Sequence, residues 1–186
     1  LFRSLVGTLP SPVFSIVEEF DAGANSGEFT VNNFTADEIH AFMVENTHEG
    51  PFPLEAFTDG EAGERNWAGA IVTRAEWEAA TDFADLVPYI FGWDGPDLVD
   101  WETGLGFSPG SSAFVYWVAD TEGGWPIFGG DVVDGFMFGA PEPESLFAAF
   151  GADGGLLEVG QTIPEPATTL MLLGGGLLAL VRRRAA

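Results

Sequence analysis

The chain contains no cysteine and no lysine in 186 residues, and it has only two histidines. Without thiols there is no disulfide framework, no thiolate metal site and no cytosolic redox chemistry. Basic side chains are scarce, six arginines against 29 acidic residues, for a net charge of −23. Three of those arginines, Arg182, Arg183 and Arg184, sit together near the C-terminus. Ahead of residue 162, Arg3, Arg65 and Arg74 face 28 acidic residues, a net charge of −25. Such a surface repels phosphate, which excludes a nucleic-acid partner and an anionic lipid surface as ligand. The sequence also lacks a Walker loop, a dinucleotide fingerprint, a Gly-x-Ser-x-Gly elbow and any fixed-period repeat.

What the chain does have is apolar and aromatic mass. Hydrophobic residues make up 46% of it, with 17 phenylalanines and six tryptophans, so it buries a core and is no disordered acidic tail. The soluble part, about 160 residues, is one domain in size. Its patterning is that of strands. Val13 to Phe20 is apolar and then acidic, and Glu28-Phe29-Thr30-Val31-Asn32 alternates at period two. Ile39 to Asn46 alternates again. Thr35-Ala36-Asp37-Glu38 offers a capping box for a helix there, but the run is short and a Gly50-Pro51 turn follows it. Trp67 to Val72, Phe114 to Val118, Asp134 to Gly139, Leu146 to Phe150 and Leu156 to Gln161 complete the strands. Thr73-Arg74-Ala75-Glu76 opens a short helix over 74–86 that Pro88 ends, while 50–66 and 92–111 read as loops. The pattern predicts a mainly β fold, an antiparallel β-sandwich over 13–161 with one short helix. Its expected core is Phe29, Val31, Phe42, Val44, Ile71, Phe114, Tyr116, Val118, Phe136 and Phe138.

The tail organises the rest. Ala167 to Val181 is an uncharged run of 15 residues, which as a helix spans about 22 Å, or about 28 Å counted from Ile163. The arginines at 182–184 snorkel to headgroups and stay cytoplasmic, placing the bulk of the chain outside. Gly174, Gly175 and Gly176 are tolerated in lipid, where small residues permit close helix contact. Ile163-Pro164-Glu165-Pro166-Ala167-Thr168-Thr169-Leu170, a Leu/Gly-rich span and a terminal arginine cluster resemble the PEP-CTERM sorting signal of exported bacterial proteins. The resemblance covers residues 162–186. It implies an exosortase-like membrane enzyme as partner, cutting near Pro164, Glu165 and Pro166, and a membrane stop at Arg182, Arg183 and Arg184. The implied route is a membrane-anchored precursor that becomes a cell-surface or secreted protein of a Gram-negative bacterium. A second triplet, Pro141-Glu142-Pro143, has no apolar span behind it. Residues 1–12 are expected to be an N-terminal segment whose signal peptide is absent or truncated, since Gly7, Pro10 and Pro12 interrupt the apolar run and no initiator Met precedes it.

Sites that carry chemistry are sparse. Asp94, Asp97, Asp100 and Glu102 lie in one Gly/Pro-containing stretch, and hard oxygen ligands there suit calcium, although the spacing is not that of an EF-hand. Against that stands a solvated acidic loop with no cofactor. Trp93, Trp101 and Trp125 near turns offer stacking faces for a sugar, with burial in the core as the plain alternative. His40 and His48 read as core or surface residues, Ser111 and Ser112 as turn residues, and Asn33-Phe34-Thr35 matches a glycosylation sequon. The leading expectation is a non-enzymatic surface or matrix protein. The alternative is a carbohydrate-binding or adhesin-like module, calcium-assisted and contacting exopolysaccharide.

Overall fold

The computed structural model describes residues 14–48, 54–87, 98–119, 124–140 and 146–164. Among the described residues, ten strands form two five-stranded sheets. They are β1 (Ser15–Asp21), β2 (Ser26–Asn32), β3 (Ala41–Asn46), β4 (Glu55–Thr58), β5 (Trp67–Thr73), β6 (Ser112–Val118), β7 (Val132–Gly139), β8 (Leu146–Phe150), β9 (Leu156–Gln161) and β10 (Ile163–Pro164). The first sheet runs β10-β1-β2-β7-β4 and the second β5-β6-β3-β8-β9. Every pairing is antiparallel except that of β10 with β1, which is parallel. The helices are α1 (Gly60–Glu64), α2 (Arg74–Ala79) and a 3-10 turn at Phe83–Asp85.

Period-two alternation sets the main core. Phe29 and Val31 from β2, Phe42 and Val44 from β3, Phe114, Tyr116 and Val118 from β6, and Phe136 and Phe138 from β7 meet between the sheets, with Ile71 packed at their edge. Nine of the ten residues expected in this core are buried in it, and Ile71 is partly buried against it. Phe29 stacks on Phe138 with ring centroids 4.5 Å apart, and Phe42 meets Phe136 edge-on at 4.8 Å. Each fully buried ring contributes about 2–3 kcal/mol through the water it leaves. Tyr116 keeps its hydroxyl satisfied by donating to the Met137 carbonyl, 2.7 Å away.

A second core lies on the far side of the second sheet. Ala41, Met43, Ala113, Val115, Trp117, Ala148 and Phe150 face away from the sandwich, and Trp77, Phe83, Val87, Trp101, Leu105 and Phe107 cover them. Strand β3 is therefore buried at all six positions. A strand covered on both faces reads as a near-continuous apolar run, as Phe114 to Val118 does.

Several elements differ from the sequence expectation. The stretch 50–66 holds β4 and α1 within its described part. The helix expected over 74–86 has its capping box, Thr73 with Glu76, but ends at Ala79. The Asp85 carboxylate takes the Thr81 N–H and Asp82 caps the 3-10 turn, so side chains compete with the helical ladder. Gly135, at φ +88°, accompanies the irregular register of β2 against β7 between Phe29 and Val31, and a Cβ there would collide with the Asp59 carbonyl. Only glycine lets α1 approach the bulged strand that closely.

Candidate sorting and processing site

The last strands bring the C-terminal stem to one sheet edge. In β9, Gly160 lies against the Phe147 ring, where any Cβ would clash. The chain then leaves the second sheet and Thr162 turns inward, 6% exposed, its hydroxyl donating to Glu18 Oε2 at 3.1 Å. Glu18 is itself 5% exposed, on the inward face of β1 that it shares with buried Ile16. Next, Ile163 pairs with Val17 and Pro164 with Glu18 along the outer edge of β1. Pro164 itself brings no N–H to this edge. The first residue of the Pro-Glu-Pro triplet is thus part of the sheet.

A family model described as the PEP-CTERM protein-sorting motif matches residues 162–185. The chain carries a PEP-CTERM motif. It starts on Thr162, the residue that closes the sheet edge, and it implies export and sorting to the cell surface through exosortase-like processing. No curated protein and no solved structure matches the chain. Of the motif, Thr162, Ile163 and Pro164 are described; Glu165, Pro166, the span 167–181 and Arg182, Arg183 and Arg184 lie outside the described residues, as do residues 1–12 and the second triplet at 141–143. Among the described residues no helix is long and apolar enough to cross a membrane.

The acidic stretch is built for local structure where it is described. Asp100 Oδ1 accepts from the backbone N–H groups of Thr103 at 2.7 Å and Glu102 at 3.1 Å, and from the Thr103 hydroxyl at 2.9 Å. Those bonds, led by the Thr103 N–H, hold its pKa below the ordinary carboxylate value. Glu102 pairs with Arg74, 2.6 Å away, and Arg74 also holds Glu78 at 2.6 Å. Asp94 and Asp97 lie outside the described residues. Among the described residues no group of three or more acidic or histidine side chains is placed to hold a metal.

The aromatic candidates separate. Trp101 is 1% exposed, edge-on to Phe107 at 5.2 Å, and its indole N–H donates to the Ser108 carbonyl. It is a pillar of the second core and presents no face to a sugar. Trp125 is 59% exposed, and Trp93 lies outside the described residues. His40 is buried beside Glu38, whereas His48 is exposed beyond the other end of β3. The six residues of β3 run between them and, at the rise of a strand, span about 20 Å, too far for the two to share an ion. Asn33 is wholly buried and spends its amide on the carbonyls of Asp37 and Ile127, so the sequon presents no acceptor at the surface. Ser111 is buried and bonds the Ser108 carbonyl, while Ser112 accepts from Asn46 across the ladder.

The sequence signal had no means of finding Glu18 and Thr162. One is an acidic residue among 29, the other a threonine ahead of the motif. Only their meeting across 144 residues of chain marks them.

Proposed function

We propose that this chain is an exported bacterial surface or matrix protein, in which the β-sandwich is the delivered domain and the C-terminus is its address. In the precursor, residues 167–181 cross the bilayer as a helix and Arg182, Arg183 and Arg184 remain in the cytoplasm, where positive flanks are retained. Processing near Pro164, Glu165 and Pro166 then frees the domain to the cell surface or medium of a Gram-negative organism. The domain acts by display or contact and not by catalysis. The observation that carries this reading is the sorting motif at residues 162–185, which follows directly on the last residue of β9.

Mass spectrometry of the surface or secreted form tests it. The expected C-terminus lies near the triplet, with the apolar span gone. A released protein that still carries Leu170 to Arg184 overturns the sorting reading and leaves the tail as an anchor. Two variants separate the parts. Glu165→Ala leaves membrane insertion intact and accumulates uncut precursor. Replacing the three arginines with uncharged residues loosens retention and orientation instead.

A further inference from the structure

We propose that the outer edge of β9 is a self-association site, where a second copy of this chain pairs its own β9 antiparallel and joins the second sheets of the two molecules into one. Four strands end the two sheets, β10 and β4 in the first and β5 and β9 in the second. Strands β4 and β5 close on each other. A Cβ on Gly69 would strike the Ala56 backbone, and the Thr58 hydroxyl donates to the Trp67 carbonyl at 2.6 Å. Strand β10 is two residues long and ends in proline. Strand β9, six residues from Leu156 to Gln161, pairs with β8, and among the described residues nothing pairs with its other side. A strand left in this way presents a row of N–H and C=O groups, a template for one more strand.

The side chains of β9 select the occupant. Leu157, Val159 and Gln161 form its exposed face, with Leu157 40% and Val159 39% exposed. Val159 is the register partner of Ala148, which the second core buries completely. The apolar outer surface of the second sheet therefore runs one strand beyond its cover. No charge lies on that face, because the one acid of the strand, Glu158, shares the opposite face with Gly160. A basic partner finds no carboxylate to pair with there, although the domain carries a net charge of −25. A second copy, repelled by like charge elsewhere, meets its own uncharged face. The register follows from the same rule. Against β8 the strand runs regularly over 158–161, after a shift between Ala149 and Phe150. A two-fold through Val159 sets that residue against its own copy, Leu157 against Gln161 and Glu158 against Gly160, so no two carboxylates stand opposite one another. Because both copies use the same edge, the contact closes as a dimer and does not propagate.

Sedimentation equilibrium of the full-length chain in density-matched detergent tests the site. The expected result is a monomer–dimer equilibrium about tenfold or more tighter at about 500 mM NaCl than at about 50 mM, because salt screens the repulsion that opposes the pairing. Val159→Lys places a charge on the exposed face and is expected to leave the melting temperature near that of the parent while abolishing the dimer. A chain that stays monomeric at both salts overturns the proposal. So does association that weakens with salt, and so does a dimer that Val159→Lys leaves intact, which another surface or the apolar tail would then hold. The absence of native cysteine allows a second readout. In the proposed register, Val159→Cys brings two thiols to directly opposite positions, Cα atoms about 4.5–5.5 Å apart and within disulfide reach. It is expected to cross-link on oxidation about tenfold faster than Val132→Cys, which is 50% exposed on the other sheet. Equal rates overturn the register and the site. Neither measurement involves cutting at the C-terminus, so failure here leaves the sorting reading standing.

Discussion

Two tryptophans show how much a single position depends on its surroundings. Trp101 and Trp125 both sit beside turns, yet one is 1% and the other 59% exposed. Trp101→Ala empties a pocket walled by Trp77 and Phe107 and removes one of the donors to the Ser108 carbonyl, which keeps those of Ser111. The expected loss is about 3–5 kcal/mol, read from urea unfolding followed by far-UV circular dichroism. Trp125→Ala is expected to stay within about 0.5 kcal/mol, because the Trp67 indole bonds the backbone carbonyl of Trp125 and not its side chain. Equal losses for the two would contradict the second core. Arg65 is a different kind of residue. Its guanidinium binds Glu61 and Asp131, each at 2.6 Å, joining α1 to the segment before β7. With about a fifth of the side chain still in contact with water, Arg65→Met is expected to cost about 1–2 kcal/mol after allowance for solvent screening, shrinking as salt is added.

At the scale of elements, caps and turns carry the acid sensitivity. Glu76 accepts from the Thr73 backbone N–H and then its hydroxyl, and its pKa falls below the ordinary 4.5. Asp100, held by Thr103, behaves the same way from an ordinary 3.8. A carboxyl with a lowered folded pKa contributes stability above its unfolded value and loses it as the pH falls through the folded one. The domain is therefore expected to weaken in acid below about pH 4.5 as these turns protonate. Glu158 has the opposite sign. Burial raises its pKa, so its contribution is full below the ordinary value and is lost as the pH rises through the raised one. Glu158→Gln should flatten that loss, and unfolding free energy measured across pH 3–8 checks both limbs; a Gln variant that parallels the parent throughout excludes Glu158. The acidic turn makes a further prediction. Since Asp100 and Glu102 already serve Thr103 and Arg74, millimolar Ca²⁺ is expected to shift the melting temperature no more than Mg²⁺ at equal concentration. A calcium-specific rise that Asp97→Asn and Asp100→Asn abolish would establish a site.

For the molecule as a whole, charge is the dominant field. Ahead of residue 162 the net charge is −25, and of the basic residues there Arg65 and Arg74 are each engaged with two carboxylates. Mutual repulsion among the remaining acids opposes the compact state, and salt screens it over a Debye length of about 10 Å at 0.1 M. Raising NaCl from about 50 mM to about 500 mM is therefore expected to raise the melting temperature by a few degrees. A fall would mean that the four ion pairs outweigh the repulsion. The same charge keeps delivered molecules apart and soluble.

The sequence alone determined what depends on neighbours along the chain. Alternation placed nine buried residues of the inter-sheet core, the Thr73–Glu76 box started α2, and the C-terminal pattern identified the sorting motif, each a signal read within a few residues. Tertiary structure decided the rest. Glu55–Thr58 is half exposed on a sheet edge and becomes a strand only because β7 pairs with it. Trp101 is a core residue because the second sheet has an apolar outer face to cover, a fact distributed over β3, β6 and β8. Asp100 and Glu102 look like free ligands until Thr103 and Arg74 take them up. Ile163–Pro164 becomes a strand because it lies beside β1, and the contact of Thr162 with Glu18 joins residues 144 apart in a way that no local pattern encodes.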